Sequence, residues 1–226
     1  MKRLVLILFT GLALTVFLSS CVKYSVLTNL FVDSTVIPQG FPVGTSFAVL
    51  SIRDDNRLFS KEVCHKIEKL LAEKGYTIAN ASHAKYALFV DFSISSSVET
   101  VNVPHYIPGQ TQTTQGNVHG TYGNYGSYKE TTETSGTTIY VPQTQVFFTR
   151  MLALSVHETK LLKKKQSEDP VWTGNSVSVG QNGDLRIVID YLLVSAFKHF
   201  GVSTGKFVEN ELTEGDKAIK RLNELS

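Results

Sequence analysis

Tyr86, Leu88, Val90, Phe92 and Ile94 share one parity over a stretch bounded by Lys85 and Ser95. A period of two places them on one face of a strand, so the chain must build a sheet with a face to bury. Partner strands are legible nearby. Val146, Phe148, Leu152, Leu154 and Val156 share a parity between Gln145 and His157. Arg150 falls on that same parity, which predicts either a bulge that turns it outward or an interface, and the bulge is the favoured reading. Thr45 to Ile52 is a short apolar run of strand length, and Val171 to Val179 is a strand returning after an exposed loop at Lys160 to Pro170.

Two helices complete the pattern. Ser60 is placed to cap the first, in which Val63, Cys64, Ile67, Leu70 and Leu71 recur at helical spacing, and Gly75 ends it. Asp184 opens the second, whose broad apolar face runs from Leu185 through Val188, Leu192 and Ala196 to Phe200, with Gly201 at its close. This order predicts an α+β fold: a two-layer sandwich with a mostly antiparallel sheet and two helices on one face. Residues 45–212 form that domain. An edge strand is expected near Lys206 to Leu212, and a short helix within a C-terminal tail at 213–226.

The first residues carry an address. Lys2 and Arg3 precede an apolar run from Leu4 to Phe17, followed by Leu18-Ser19-Ser20-Cys21. A basic end, an apolar stretch and small residues before a cut site make a secretory signal at 1–20. Leu-Ser-Ser-Cys resembles the lipobox of bacterial lipoproteins, in which the cysteine is acylated with palmitate-type chains. Several acyl chains anchor a protein stably. Residues 21–44, with Pro38, Gly40, Pro42 and Gly44, then read as a lipidated N-terminus and tether. By analogy with sorting in two-membrane bacteria, Val22 after the cysteine predicts the outer membrane, facing the periplasm.

Charge decides against one class of partner. The chain holds 22 basic and 20 acidic residues. Removal of Lys2 and Arg3 with the signal leaves the two signs balanced, so nothing in the charge favours nucleic acid. Cys64 has no second cysteine to pair with once Cys21 is acylated, so it is either buried or paired with another molecule, and its place on an apolar stripe favours a buried thiol.

Residues 99–144 differ in composition, with Gly, Thr, Gln and Asn throughout and Tyr122, Tyr125 and Tyr128 among them. A segment this long between two strands exceeds an ordinary hairpin loop. A long polar β-ribbon presenting those tyrosines to a partner and a disordered arm are the main readings; a barrel hairpin suits it poorly, because apolar residues cluster at Ile139 to Val141.

Catalytic signatures are missing from the sequence: there is no phosphate-binding glycine loop before a helix, no H-E-x-x-H and no G-x-S-x-G. Cys64-His65 pairs a nucleophile with a base in print, but adjacent helix residues point about 100° apart. His105 and His119 flank the glycine-rich segment and could meet, yet a stable metal site wants three or four ligands. No catalytic residue, metal site or cofactor is therefore expected.

Cys21 after its lipobox, Phe47-Ala-Val-Leu-Ser-Ile52, Leu70-Leu-Ala-Glu-Lys-Gly-Tyr76, Tyr86 to Phe92 and Val171-Trp-Thr-Gly174 resemble bacterial lipoproteins assigned to domain of unknown function 4136. The resemblance spans most of residues 45–200, and the polar segment departs from the family's simplest members. It implies an envelope lipoprotein with an α+β domain and brings no catalytic residues. The expected function is a non-enzymatic, lipid-anchored envelope protein that binds another envelope component, protein or glycan. An oligomeric secretion or pore-type assembly lipoprotein is the alternative, and an envelope hydrolase a weaker one.

Overall fold

The computed structural model describes residues 22–53, 56–119, 125–160 and 169–224. They build nine strands: β1 (Lys23–Val32), β2 (Ser46–Ser51), β3 (Thr77–Ile78), β4 (Tyr86–Ile107), β5 (Thr111–His119), β6 (Tyr125–Glu133), β7 (Thr137–Glu158), β8 (Trp172–Gly180) and β9 (Val208–Thr213). Three helices accompany them among the described residues: α1 (Arg57–Glu73), α2 (Leu185–Lys198) and α3 (Lys217–Asn223). The chain divides into two compact units, residues 1–97 with 147–226 and residues 98–146.

The larger unit is organised by a seven-stranded sheet in the order β3-β2-β4-β7-β8-β1-β9. β2 runs parallel to both β3 and β4, while β8 is antiparallel to β7 and β1, and β1 to β9. The fold is therefore mostly β, half strand and 22% helix, with a mixed sheet and three helices. The expected two-layer α+β sandwich with a mostly antiparallel sheet and two helices is overturned. α1 leaves β2 and returns the chain in the same direction, and parallel neighbours require a crossover of that length.

Residues 21–44 were expected to tether the domain, yet β1 occupies an inner position between β8 and β9. Val26, Thr28 and Leu30 of β1 are wholly buried. Phe41 is also buried, with Phe47, Tyr86 and Phe200 at ring-centroid distances of 5.1 to 5.4 Å. An aromatic cluster of this kind contributes beyond its burial alone, about 0.5–1.5 kcal/mol per pair.

The core lies where α1 and α2 meet the sheet face carrying Val26, Phe47, Leu88, Leu152 and Leu154, and Trp172 closes it beside Phe200. Two polar devices sit inside it. Lys66 of α1 reaches Asp190 of α2 at 2.9 Å and Glu62 at 3.0 Å. Thr28, Ser176, Ser195 and Asn210 form a buried hydroxyl and amide chain with links of 2.7 to 2.9 Å. Thr28 is thus satisfied, which burial of a hydroxyl demands.

α1 begins earlier than the stripe from Val63 implies, and its buried face already includes Phe59. Asn56 is the cap, its side-chain oxygen accepting from the Phe59 N–H at 3.2 Å, and Ser60 is an interior residue of the helix. Gly75 follows the helix with φ +83°, a conformation that costs a side chain dearly. Asp184 caps α2 through the Arg186 N–H at 2.9 Å.

The smaller unit is β structure. β5 and β6 pair antiparallel from Thr111↔Glu133 to His119↔Tyr125. Tyr128 stands opposite Gly116, where a Cβ would lie 2.5 Å from the tyrosine ring, so the ring covers the glycine's backbone. The loop expected at Lys160 to Pro170 falls largely outside the described residues.

Candidate functional site

The outer side of β2 is incompletely paired. In a parallel ladder a strand directs the N–H and C=O of alternate residues to opposite neighbours. Ile52 donates to Val90 on β4 at 3.0 Å, which assigns the even positions to the β4 side. Thr45 and Phe47 accept from Thr77 and Ala79, both at 2.9 Å, on the β3 side. β3 has only two residues in register, Ser46↔Thr77 and Phe47↔Ile78. Val49 and Ser51 therefore direct their main-chain groups to a side where no described residue pairs with them.

That open edge borders a groove against α1. A cavity of about 690 Å³ is lined by Val49, Leu50 and Ser51 from the strand and by Ser60, Lys61, Cys64 and Glu68 from the helix, with Arg53 and Arg57 at one end. A second hollow of about 370 Å³ shares Val49, Leu50 and Glu68 and continues past Ile78 to Ala81. Strand edge and helix together make a trough of the kind that accepts an extended chain.

The trough leans positive. Arg53 binds Asp91 at 2.7 Å, and His65 lies 3.6 Å from Glu68. Lys61 is exposed and has no partner among the described residues. Cys64 is half-buried, and burial, aided by the nearby Glu68 carboxylate, pushes its thiol up to about 11. A thiol of that kind carries almost no thiolate at neutral pH, so it offers apolar contact to the trough rather than a nucleophile. His65 turns to Glu68.

Only some of the expected site residues are among those described. Cys21 and Tyr122 lie outside the described residues. Tyr125 enters β6 opposite His119, and Tyr128 is half exposed over Gly116. His105 sits in β4 and His119 in β5. Among the described residues no three His, Cys, Asp or Glu side chains are grouped to hold a metal, and no helix is long and apolar enough to cross a membrane.

Sequence reasoning passed over the open edge of β2 and the burial of Arg150. The edge had a signal: a short apolar strand, a helix and a further strand at close spacing imply a parallel crossover, and a crossover leaves an outer strand. Arg150 is 1% exposed on the core parity of β7, and the β7–β8 register runs unbroken from Phe148↔Gly180 to Val156↔Trp172. No bulge turns it out.

No protein-family model matches the chain, and no curated protein matches it. Among solved structures it is similar to a PDZ domain protein from Parabacteroides distasonis, at 10% identity and a TM-score of 0.42. The match covers 87% of this chain and 40% of that one.

Proposed function

We propose that the protein is a non-enzymatic, lipid-anchored envelope protein that adds an extended segment of another envelope protein to the open edge of β2. The signal at 1–20 is removed, Cys21 carries the acyl chains, and the domain faces the periplasm from the outer membrane. The carrying observation is the pair of main-chain positions, Val49 and Ser51, that no described residue pairs on the side facing a groove walled by α1. Main-chain bonds to such an edge supply affinity without regard to sequence, and the wall selects side chains. Lys61 selects an acidic residue in the added segment. The resemblance to lipoproteins of domain of unknown function 4136 and the lipobox support the address; the high pKa of the Cys64 thiol supports a binding role for the trough.

Photo-crosslinking in the envelope tests this directly. A crosslinker at Ala81, which lines the second hollow, should capture in the full chain a partner through an extended acidic segment. Val49→Pro removes the N–H facing the open edge while leaving the β4 ladder untouched, and should abolish capture; Lys61→Glu should weaken it at least tenfold. Capture that is unchanged by both substitutions would overturn the binding mode. Cys21→Ser should separately release the protein from the membrane fraction.

A further inference from the structure

Among the described residues of the larger unit two cations are buried, and they are treated differently. Lys66 is matched by Asp190 and Glu62. Arg150, equally buried, has no carboxylate partner among the described residues. Its Nε donates to the Ser178 carbonyl at 3.4 Å, Nη1 to the Asn182 carbonyl at 2.9 Å and Nη2 to Ser178 Oγ at 3.3 Å. Those neutral acceptors occupy three of five N–H groups and leave one hydrogen on each Nη. A guanidinium remains charged at any pH the protein meets. A buried charge calls for a counter-charge, and the described residues do not provide one.

The surroundings leave room for it. Arg150 borders a cavity of about 210 Å³, walled by Ser178, Gly180 and Asn182 on one side and by Val22 to Ser25 on the other. That is several water volumes, enough for a tetrahedral anion. No acidic residue lines it among the described residues. Glu211 approaches only through its exposed pair with Lys23, at 3.2 Å, and Glu209 through Ser25, at 2.6 Å. Position 180 is glycine where a Cβ would stand 2.9 Å from Arg150 Nη2, so the absent side chain keeps the guanidinium's place open.

We infer that this cavity binds a phosphate-class oxyanion, with Arg150 as the fork that holds it. Planar N–H pairs on separate nitrogens match two oxygens of a phosphate. Val22 lies in the cavity wall and directly follows Cys21 in sequence. On the lipid-anchor reading, which only this source requires, the phosphate of a lipid headgroup is close by; free phosphate offers the same chemistry.

The test uses the full chain in a maltoside detergent, which contains no phosphate, at constant ionic strength set with chloride. Inorganic phosphate and short-chain phosphatidylglycerol are titrated separately by calorimetry, and the Arg150 Nε–H resonance is followed by NMR. Saturable binding that moves this resonance, and that weakens at least tenfold in Arg150→Met, supports the proposal. Response to both probes or to inorganic phosphate alone assigns free phosphate as sufficient; response to the lipid alone assigns the headgroup. Gly180→Ala keeps the charge but presses on Nη2, so it should weaken binding even where Arg150→Met fails to fold. Absence of saturable binding of either probe, or affinity unchanged in Gly180→Ala and in a folded Arg150→Met, would overturn it. A Cys21 that proved unacylated would remove the anchor reading while leaving the inorganic phosphate arm to decide this one.

Discussion

Lys66 and Asp190 show what a buried charge does when its partner is supplied. Lys66 bridges α1 and α2 with both Asp190 oxygens at 2.9 and 3.1 Å. Lys66→Met strands a buried carboxylate and should cost about 3–5 kcal/mol, whereas Lys66→Met with Asp190→Leu should recover most of the loss. Urea midpoints for the two variants check this. Burial holds the Asp190 carboxyl above the ordinary aspartate value of 3.8, against the pull of Lys66. The folded state then keeps its proton to higher pH than the unfolded chain. Stability of the wild type relative to Asp190→Asn should fall as pH rises from 3.8 through that raised value, and be level below and above it. A relative stability that rose across the window would contradict the burial. Neither member of this pair was legible in the sequence: Lys66 reads as one more solvated charge among Lys61, Glu62 and Lys69, and only the approach of α2 reveals it. Arg150 was legible as an anomaly of parity. The usual resolution, a bulge, failed because Ser178, Asn182 and Gly180 give the guanidinium acceptors and space inside.

Among the elements, those with one clean period were readable and those with two competing ones were not. β4 shows its alternation without interruption and lies where it was expected, extending further to Ile107. β1 places Tyr24, Val26, Leu30 and Val32 on one parity but Thr28 among them and Leu27 and Phe31 on the other. Mixed parity next to Pro38 and Gly40 reads as a tether. The structure resolves it because Thr28 meets Ser176 and Ser195, a contact that no local pattern announces. The start of α1 fails for a related reason. Its first two residues, Arg57 and Leu58, are exposed, and its buried face begins at Phe59, one turn before the stripe read from Val63. The cap is consequently testable. Asn56→Ala should lower stability by about 1 kcal/mol through loss of the bond to the Phe59 N–H. Asn56→Ser should restore most of it, since serine also caps well. Equal midpoints for wild type and Asn56→Ala in urea would remove Asn56 from that role.

At the scale of the molecule, the mixed sheet and the polar segment set separate problems. Parallel β2 and β4 could not be told from antiparallel strands by composition, since both bury one face and half of the other: Ala48 and Ala87 are buried on the parity opposite Phe47 and Tyr86. The pairing is decided by the α1 crossover. The boundary of the second unit, Val98–Val146, by contrast follows the change in composition closely, because a run of Thr, Gln, Gly and Asn has little apolar surface to contribute to any shared core. Every residue of the buried apolar cluster comes from outside 98–146. β4 and β7 are neighbours in the sheet, so Ser97 and Phe147 can be joined by a two-residue Asn-Gly turn in place of the whole segment. The shortened chain should melt cooperatively within a few degrees of the full one, since shortening a loop changes closure entropy only slowly with length. It should also keep the β2 edge, and with it the capture by the crosslinker at Ala81 in the envelope. A shortened chain that folds but loses capture would move the binding surface from β2 to the polar segment and its tyrosines.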